Sequence, residues 1–163
     1  MPKRASSDDI DVLILSLLQD NARMSFAELA ESVGLTAPAV AERVRRLERI
    51  GIISGYRAVI DPAAVSHPIH CIIRLNSSGD TRMIDTLAPT IPEIIECVRV
   101  TGSESHVIRA VVRSTEHLEN LLELLWEEGD TVTSIVTSSP VPRRPLGVSH
   151  LDASDLIGQS NAG

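Results

Sequence analysis

The amino-acid sequence predicts an α+β protein with two domains, and a change of pattern along the chain supports this prediction. Up to about residue 50 the apolar residues recur with helical spacing. From Pro68 onward, stretches of alternating polar and apolar residues separate two further helices, which is typical of strands. A chain of 163 residues is long enough for two small domains. We therefore expect an N-terminal helical domain followed by a C-terminal βαββαβ domain.

Charge is distributed unequally between these two halves. The first 57 residues contain eight basic and eight acidic side chains, so the whole net charge of −7 comes from the remainder. A neutral domain can still bind phosphates through a local basic cluster, because salt screens interactions beyond about 10 Å. The acidic half is not expected to contact nucleic acid. Since only three residues are aromatic, both cores must be aliphatic.

The first helix is predicted from a regular apolar stripe that begins near Ser7. Its apolar residues recur at i, i+3, i+4, i+7 and i+8, and acidic residues at its start favour the positive end of the helix dipole. We expect the next two helices to pack on this stripe, which consists of Ile10, Leu13, Ile14, Leu17 and Leu18.

The segment that begins at Ser25 has the features of two short helices joined by a tight turn. Ser25 and Glu28 are spaced as in a capping box, in which each side chain accepts a hydrogen bond from the other's backbone amide. Gly34 can adopt the positive φ that ends a helix. Thr36 is suited to cap the second helix, and Pro38 is tolerated in its first turn.

The second helix of this pair places apolar residues on one side and arginines on the other. Val40, Val44 and Leu47 fall at i, i+4 and i+7 and should form a buried stripe. A small helical hairpin with a solvated basic face is the simpler interpretation of the arginines. The spacing of small residue, glycine and β-branched residue favours a helix-turn-helix that binds double-stranded DNA. The predicted DNA-contacting residues are Arg23, Ser25, Thr36, Pro38, Ala39, Glu42, Arg43, Arg45, Arg46 and Arg49.

The sequence distinguishes the roles of only some of these residues. We expect Arg43 and Arg46 to contact DNA directly and Arg49 to contact phosphates. Arginine can bind guanine with two hydrogen bonds or bridge phosphates, and the sequence does not decide between them. A role as cap or turn residue is equally consistent with Ser25, Thr36 and Arg23.

The residues after Gly51 predict a strand or short wing that closes at Asp61 and Pro62. The expected domains are a winged helix-turn-helix domain at residues 1–60, a linker at 61–67, the βαββαβ domain at 68–142 and a poorly ordered tail at 143–163.

The C-terminal domain is predicted to be ferredoxin-like, or ACT-like, from the order of its elements. Strands are expected at about 69–76, 93–101, 106–113 and 131–139, with helices at 80–91 and 115–128. The inward residues of the first helix are predicted to be Met83, Ile84, Leu87 and Ala88. Because helices cover only one face of such a sheet and several strands are apolar on both faces, we expect the other face to contact a partner subunit.

No pattern for a metal, cofactor or catalytic site is present in the sequence. The two cysteines lack metal-ligand spacing, and there is no Gly-rich phosphate loop or nucleophile motif. No apolar run approaches the ~20 residues that span a bilayer. These features predict a cytoplasmic, non-enzymatic protein without cofactor or metal.

The run IDVLILSLLQDNARMSFAELAESVGLTAPAVAERVRRLERIGIISGYRAVIDP resembles the DNA-binding half of the Lrp/AsnC, or feast/famine, transcriptional regulators. The second half, with VTG at Val100 to Gly102, is similar to their ligand-sensing domain, and the resemblance covers about residues 8–142. It implies a bacterial or archaeal nucleoid-associated regulator, and homodimers that often assemble into octamers. It also implies an effector, usually an amino acid, bound between dimers near Thr101, Gly102, Ser103, Glu104, Ser105 and His106.

The sequence departs from the family pattern in this turn. The family usually has an aspartate three residues after the turn glycine, followed by an aromatic residue, whereas this chain has Ser105 and His106. The carboxylate that would hold a ligand's ammonium group is therefore missing, although Glu104 is adjacent. An amino acid, a different ligand or no effector at all are left as alternatives.

Two other functions are compatible with the same domain plan. Sirohaem decarboxylases resemble both halves and act as enzymes on a tetrapyrrole, which would require a cationic cleft built from residues such as Arg74, Arg99, Arg109 and His106. The arginine-rich helix has no use in such an enzyme. A metabolite-binding module with a vestigial helix-turn-helix is the third possibility.

Overall fold

The computed structural model describes residues 7–77, 79, 81–142, 144 and 147. The chain divides into two compact units. The described residues of the first are 7–58, 144 and 147, and the second is Val59–Pro142. Each unit has its own aliphatic core. The tail predicted at 143–163 lies outside the described residues except for Arg144 and Gly147.

The first unit consists of three helices. They are α1 (Ser7–Asp20), α2 (Phe26–Val33) and α3 (Ala37–Arg49). The predicted stripe of α3 is confirmed, because its three apolar side chains are all buried. They pack with apolar residues of the other two helices, so that the core of this unit contains Ile14, Leu15, Leu29, Ala30, Val40, Val44 and Leu47.

The strand predicted after Gly51 is wrong for the isolated chain. Ile52 and Ile53 pack against the α1 and α3 core, and the Ile53 amide donates to the Leu47 carbonyl at 3.1 Å. The residues that follow form no strand, and Val59 is 94% exposed. A strand requires a second segment to bond its backbone, and no described segment of this chain pairs with residues 54–61.

The second unit has the predicted βαββαβ order, which confirms the ferredoxin-like fold. Its four strands form one antiparallel sheet in the order β2-β3-β1-β4. The elements are β1 (Ile69–Ser77), α4 (Arg82–Leu87), β2 (Ile94–Arg99), β3 (His106–Val112), α5 (Thr115–Trp126) and β4 (Gly129–Ile135), with 3-10 turns at Ala63–Val65 and Ala88–Thr90.

The two helices of this unit cover one face of the sheet. Cys71, Ile73 and Leu75 alternate along β1 toward that face and are buried with residues of β3, α4 and α5. The alternate positions of the strands point to the other face, where Val98 and Val132 are about half exposed. The second unit therefore presents an uncovered, partly apolar sheet face.

Several element boundaries differ from those predicted. The helix expected at 80–91 is α-helical only over Arg82–Leu87 and continues as a 3-10 turn, because Pro89 has no amide hydrogen to donate. Met83, which was predicted to point inward, is exposed. The start of α5 is as predicted, with the Ser114 hydroxyl accepting from the His117 amide at 3.1 Å.

Candidate nucleic-acid interface and effector site

The hairpin of α2 and α3 is fixed at its start by the predicted capping box. The Ser25 hydroxyl accepts from the Glu28 amide at 3.2 Å, and the Glu28 carboxylate accepts from the Ser25 amide at 2.7 Å. The Glu28 carboxylate also accepts from the Ser25 hydroxyl, and the hydrogen bonds from the Ser25 amide and hydroxyl hold the pKa of the Glu28 carboxyl below its usual value. Gly34 then ends α2 in the left-handed conformation, with φ 68° and ψ 33°. Both local predictions for the hairpin are confirmed.

The start of α3 differs in one detail from the prediction. Thr36 occupies the N-cap position with extended backbone, but its side chain makes no capping hydrogen bond. Pro38 lies in the first turn, as expected. The Thr36 side chain is exposed, so it is available to a ligand rather than committed to the helix end.

The side of α3 opposite its buried stripe carries the predicted DNA contacts. Ala39, Glu42, Arg45 and Arg49 are exposed on this side. Arg23 is exposed in the turn after α1, where its amide donates to the Asn21 side chain at 3.0 Å. Arg43 and Arg46 lie beside these α3 residues and are partly exposed. The predicted contacts from residue 39 onward therefore form one surface, which we call the arginine face and define as Ala39, Glu42, Arg43, Arg45, Arg46 and Arg49.

Two arginines of the arginine face are held by a buried carboxylate that the sequence analysis did not single out. Asp11 of α1 is only 1% exposed, and its Oδ1 accepts from Arg43 Nη1 at 2.9 Å while its Oδ2 accepts from Arg46 Nη2. From the sequence, Asp11 was expected only to be one of the acidic residues that favour the positive end of the α1 dipole. Its spacing of three, four and seven residues from Ile14, Leu15 and Leu18 was the available signal, because it places the carboxylate on the apolar face of α1.

The turn between β2 and β3 contains the predicted effector segment. Thr101, Gly102 and Ser103 are exposed, and Gly102 has a φ of 125° that favours glycine. Glu104 accepts from the Ser103 hydroxyl at 2.7 Å, which lowers the pKa of its carboxyl, and Arg74 Nη1 of β1 lies 3.9 Å from it. The exposed part of the segment thus offers hydroxyls, backbone amides and one paired carboxylate.

Ser105 does not present its hydroxyl to this exposed surface. Its Oγ accepts from the Ser77 amide at 3.1 Å and donates to the Leu75 carbonyl at 3.0 Å. The Ser105 amide also donates to the Leu75 carbonyl, at 2.8 Å. The residue that replaces the family aspartate therefore ties the turn to β1.

His106 is fully buried, on the helix-covered face of the sheet. Its Nε2 lies 3.3 Å from Asp85 Oδ1 of α4, and its Nδ1 lies 3.0 Å from Ser105 Oγ. Asp85 also accepts from Arg99 of β2. The turn is consequently connected to α4 by a chain of polar contacts, and Asp85 was not identified from the sequence.

A groove of about 290 Å³ lies beside this polar chain. It is bounded by α4, the following 3-10 turn and the edge strand β2, and burial raises the pKa of the Cys97 thiol there. Its lining residues are Asp85, Ala88, Pro89, Ile94, Ile95, Glu96 and Cys97, so it does not include the turn at 101–105.

The arginines required by a tetrapyrrole enzyme do not converge on an open cationic cleft. Arg74, Arg99 and Arg109 each contact a different carboxylate, at Glu104, Asp85 and Glu96. His106 is buried. Within the described residues no group of three potential metal ligands is present, and no helix is long and apolar enough to cross a bilayer.

The chain matches two family models. One describes the AsnC-type helix-turn-helix domain and matches residues 8–48, and the other describes the Lrp/AsnC ligand binding domain and matches residues 71–146. The helix-turn-helix match covers the hairpin up to Glu48, and so all of the arginine face except Arg49, and the second match covers the turn at 101–105.

Individual proteins are similar to this one over most of its length. YezC of Bacillus subtilis strain 168, an uncharacterized HTH-type transcriptional regulator, is 36% identical over 132 residues, which are 81% of this chain and 94% of YezC. The structure of B. subtilis LrpC has a TM-score of 0.80 at 28% identity and covers 85% of this chain and 100% of its own. A transcriptional regulator of Neisseria meningitidis in complex with L-Met, NMB0573, has a TM-score of 0.76 at 26% identity, over 85% and 94% of the two chains.

The relatives are named as transcriptional regulators, which supports the prediction of a non-enzymatic protein and does not favour the tetrapyrrole enzyme. Their similarity extends over both units rather than over a single module. The order of the elements, the hairpin with its arginine face and both family matches lead to one assignment. The chain belongs to the Lrp/AsnC family of transcriptional regulators.

Proposed function

We propose that this regulator binds pseudo-palindromic DNA as a homodimer through the arginine face, with Arg23, Ser25, Thr36 and Pro38 at its margin. The observation that carries the proposal is that α3 exposes Arg45 and Arg49 and leaves Arg43 and Arg46 partly accessible, while its apolar stripe is buried. A helix supported in this way can enter a major groove without losing its packing. The net neutrality of this half of the chain does not oppose binding, because phosphate contacts are short-range.

Footprinting on genomic fragments at low salt tests this proposal. A two-fold symmetric dimer should protect half-sites separated by about 10 base pairs or a multiple of that spacing. Arg43→Ala should weaken binding by about 1–3 kcal/mol if the side chain contacts a base edge. Arg113→Ala removes an exposed arginine from the second unit and serves as the control. Absence of any protected site would disprove the proposal.

The proposed dimer forms through the uncovered face of the sheet. Val98 of β2, Val107 of β3 and Val132 of β4 lie in one row across this face, together with Arg74. An apolar face of this kind is typical of a contact surface. The exposed Val59 and the unpaired segment around it support a further contribution to the interface, since a second copy would supply the missing strand partner.

Sedimentation of the full chain tests the interface. The native protein should sediment as a dimer or a larger assembly, with an octamer as the expected end point. Val98→Asp buries a charge in the proposed interface and should shift the protein toward monomer. Asn120→Asp adds the same charge on the exposed side of α5 and should leave the assembly unchanged. A native monomer at micromolar concentration would contradict the proposal.

We further propose that a small, amino-acid-like effector binds near residues 101–106 at a junction between dimers and changes DNA affinity. The complex of NMB0573 with L-Met supports an amino acid as the chemical class. Since Ser105 replaces the aspartate and is committed to β1, simple aliphatic amino acids such as leucine should bind weakly or not at all.

Calorimetry of the full chain with each amino acid tests the effector. The coupling free energy between effector binding and DNA binding should be about 1–3 kcal/mol. Because coupling is reciprocal, bound DNA should change the affinity for the effector by the same factor as the effector changes the affinity for DNA. Tight leucine binding would show that the pocket does not depend on the missing carboxylate. An effector that binds without altering DNA affinity would contradict the regulatory part of the proposal.

A further inference from the structure

We propose that Asp11 is a positioning residue for DNA recognition, which orients Arg43 and Arg46 and thereby increases the discrimination between specific and non-specific DNA. The inference goes beyond the proposed contacts of the arginine face, because Asp11 lies on α1 and is too buried to contact DNA. The proposal rests on DNA binding by this face, and its experiment distinguishes a failure of the positioning role from a failure of DNA binding.

The geometry is that of one carboxylate shared by two arginines. Asp11 is separated by 32 residues from Arg43 and by 35 from Arg46, so the contacts join α1 to α3 across the core of the unit. Each carboxylate oxygen accepts from a different guanidinium. Arg43 has a further interaction partner in the chain besides Asp11.

Both arginines keep part of their surface accessible. The side chain of Arg43 is 23% exposed and that of Arg46 is 43% exposed. A guanidinium has five N–H donors in a fixed plane, so the contact with Asp11 leaves donors for a second partner. Arg45 and Arg49 differ, because in the described part of the chain neither forms an ion pair with a carboxylate and both are exposed.

This arrangement affects specificity in two ways. An arginine held in one plane is prepared for bidentate contact with a guanine edge, whereas a freely rotating arginine binds any phosphate within reach. The buried carboxylate also offsets one of the two positive charges, which lowers the non-specific attraction to DNA. Removal of Asp11 should therefore weaken specific binding and leave non-specific binding unchanged or stronger.

The test compares Asp11→Asn with Glu31→Gln in the full-length protein. Glu31→Gln removes the same charge from an exposed position of α2 and controls for net charge. The probes are a duplex that the native protein selects from genomic fragments and a shuffled duplex of the same composition, each titrated at several salt concentrations. We expect the affinity ratio of the two duplexes to fall about tenfold or more in Asp11→Asn and to stay near the native value in Glu31→Gln.

An equal loss of affinity for both duplexes, or an unchanged ratio, would overturn the proposal, because a purely structural role lowers both affinities together. If Asp11→Asn does not fold, Asp11→Glu keeps the charge but displaces it by one methylene, and the same ratio is measured. NMR relaxation of the arginine side chains in the native protein gives an independent result. Arg43 and Arg46 should be more rigid than Arg45 and Arg49, and equal mobility of all four would overturn the proposal even where DNA binding itself is observed.

Discussion

Leu47→Ala should unfold the first unit, and so abolish DNA binding, while the second unit stays folded. Leu47 is fully buried where α3 meets Leu15, Ile52 and Ile53. Three carbon atoms are lost, at about 0.8 kcal/mol each, and a cavity is left, so the free energy of unfolding should fall by about 3–4 kcal/mol. A unit of this size has about 3–9 kcal/mol in total. The first unit should therefore be partly or largely unfolded at 37 °C.

Calorimetric melting of the full chain, with footprinting at 10 °C and at 37 °C, measures this effect. We expect the transition of the first unit to move down by more than 10 °C, at about 4–8 °C per kcal/mol, and the footprint to be lost at the higher temperature. Assembly through the second unit should persist. Leu13→Ala makes the same change where the side chain is 43% exposed and should cost under about 1 kcal/mol. Equal shifts for both variants would refute the assignment of Leu47 to the core.

Three further expectations concern single positions. Arg49→Ala should weaken binding to all duplexes alike and reduce the slope of log affinity against log salt by about one, measured by titration. Gly129→Ala should destabilise the second unit in thermal melting, because a Cβ there would lie 2.2 Å from the Asn76 carbonyl oxygen. Burial and the hydrogen bond to Glu48 raise the pKa of Tyr56 to about 12, so absorbance of this sole tyrosine should titrate there in the native protein. The associated stability is complete below pH 10 and is lost as the pH rises toward 12.

Local signals were sufficient to predict the hairpin and the order of the elements. The capping box at Ser25 and the left-handed Gly34 depend only on residues a few positions apart. The alternation along β1 and the helical stripe of α5 likewise reflect which side of each element is buried. The sequence could therefore place α3 and its arginine face, since the buried stripe defines the opposite side.

Contacts between distant residues were not accessible in the same way. Asp11 and Arg46 are far apart in the chain, so their pairing depends on how α1 packs against α3. The contact of Asp85 with His106 likewise depends on the position of α4 over the sheet. The strand predicted after Gly51 failed for the opposite reason, because its apolar residues indicate a strand but the described part of the chain supplies no partner for it.

The contacts of Ser105 also explain why a single substitution should not restore the family's aspartate. The Ser105 hydroxyl donates to the Leu75 carbonyl and accepts from the Ser77 amide, and a carboxylate could replace only the second of these roles. Ser105→Asp would also bring negative charge against a carbonyl oxygen. We expect a lower melting temperature and no tighter binding of leucine in calorimetry, while Ser103→Asp on the exposed turn should be tolerated. A gain in leucine affinity from Ser105→Asp would mean that the turn can rearrange, and that the buried contacts of His106 do not fix it.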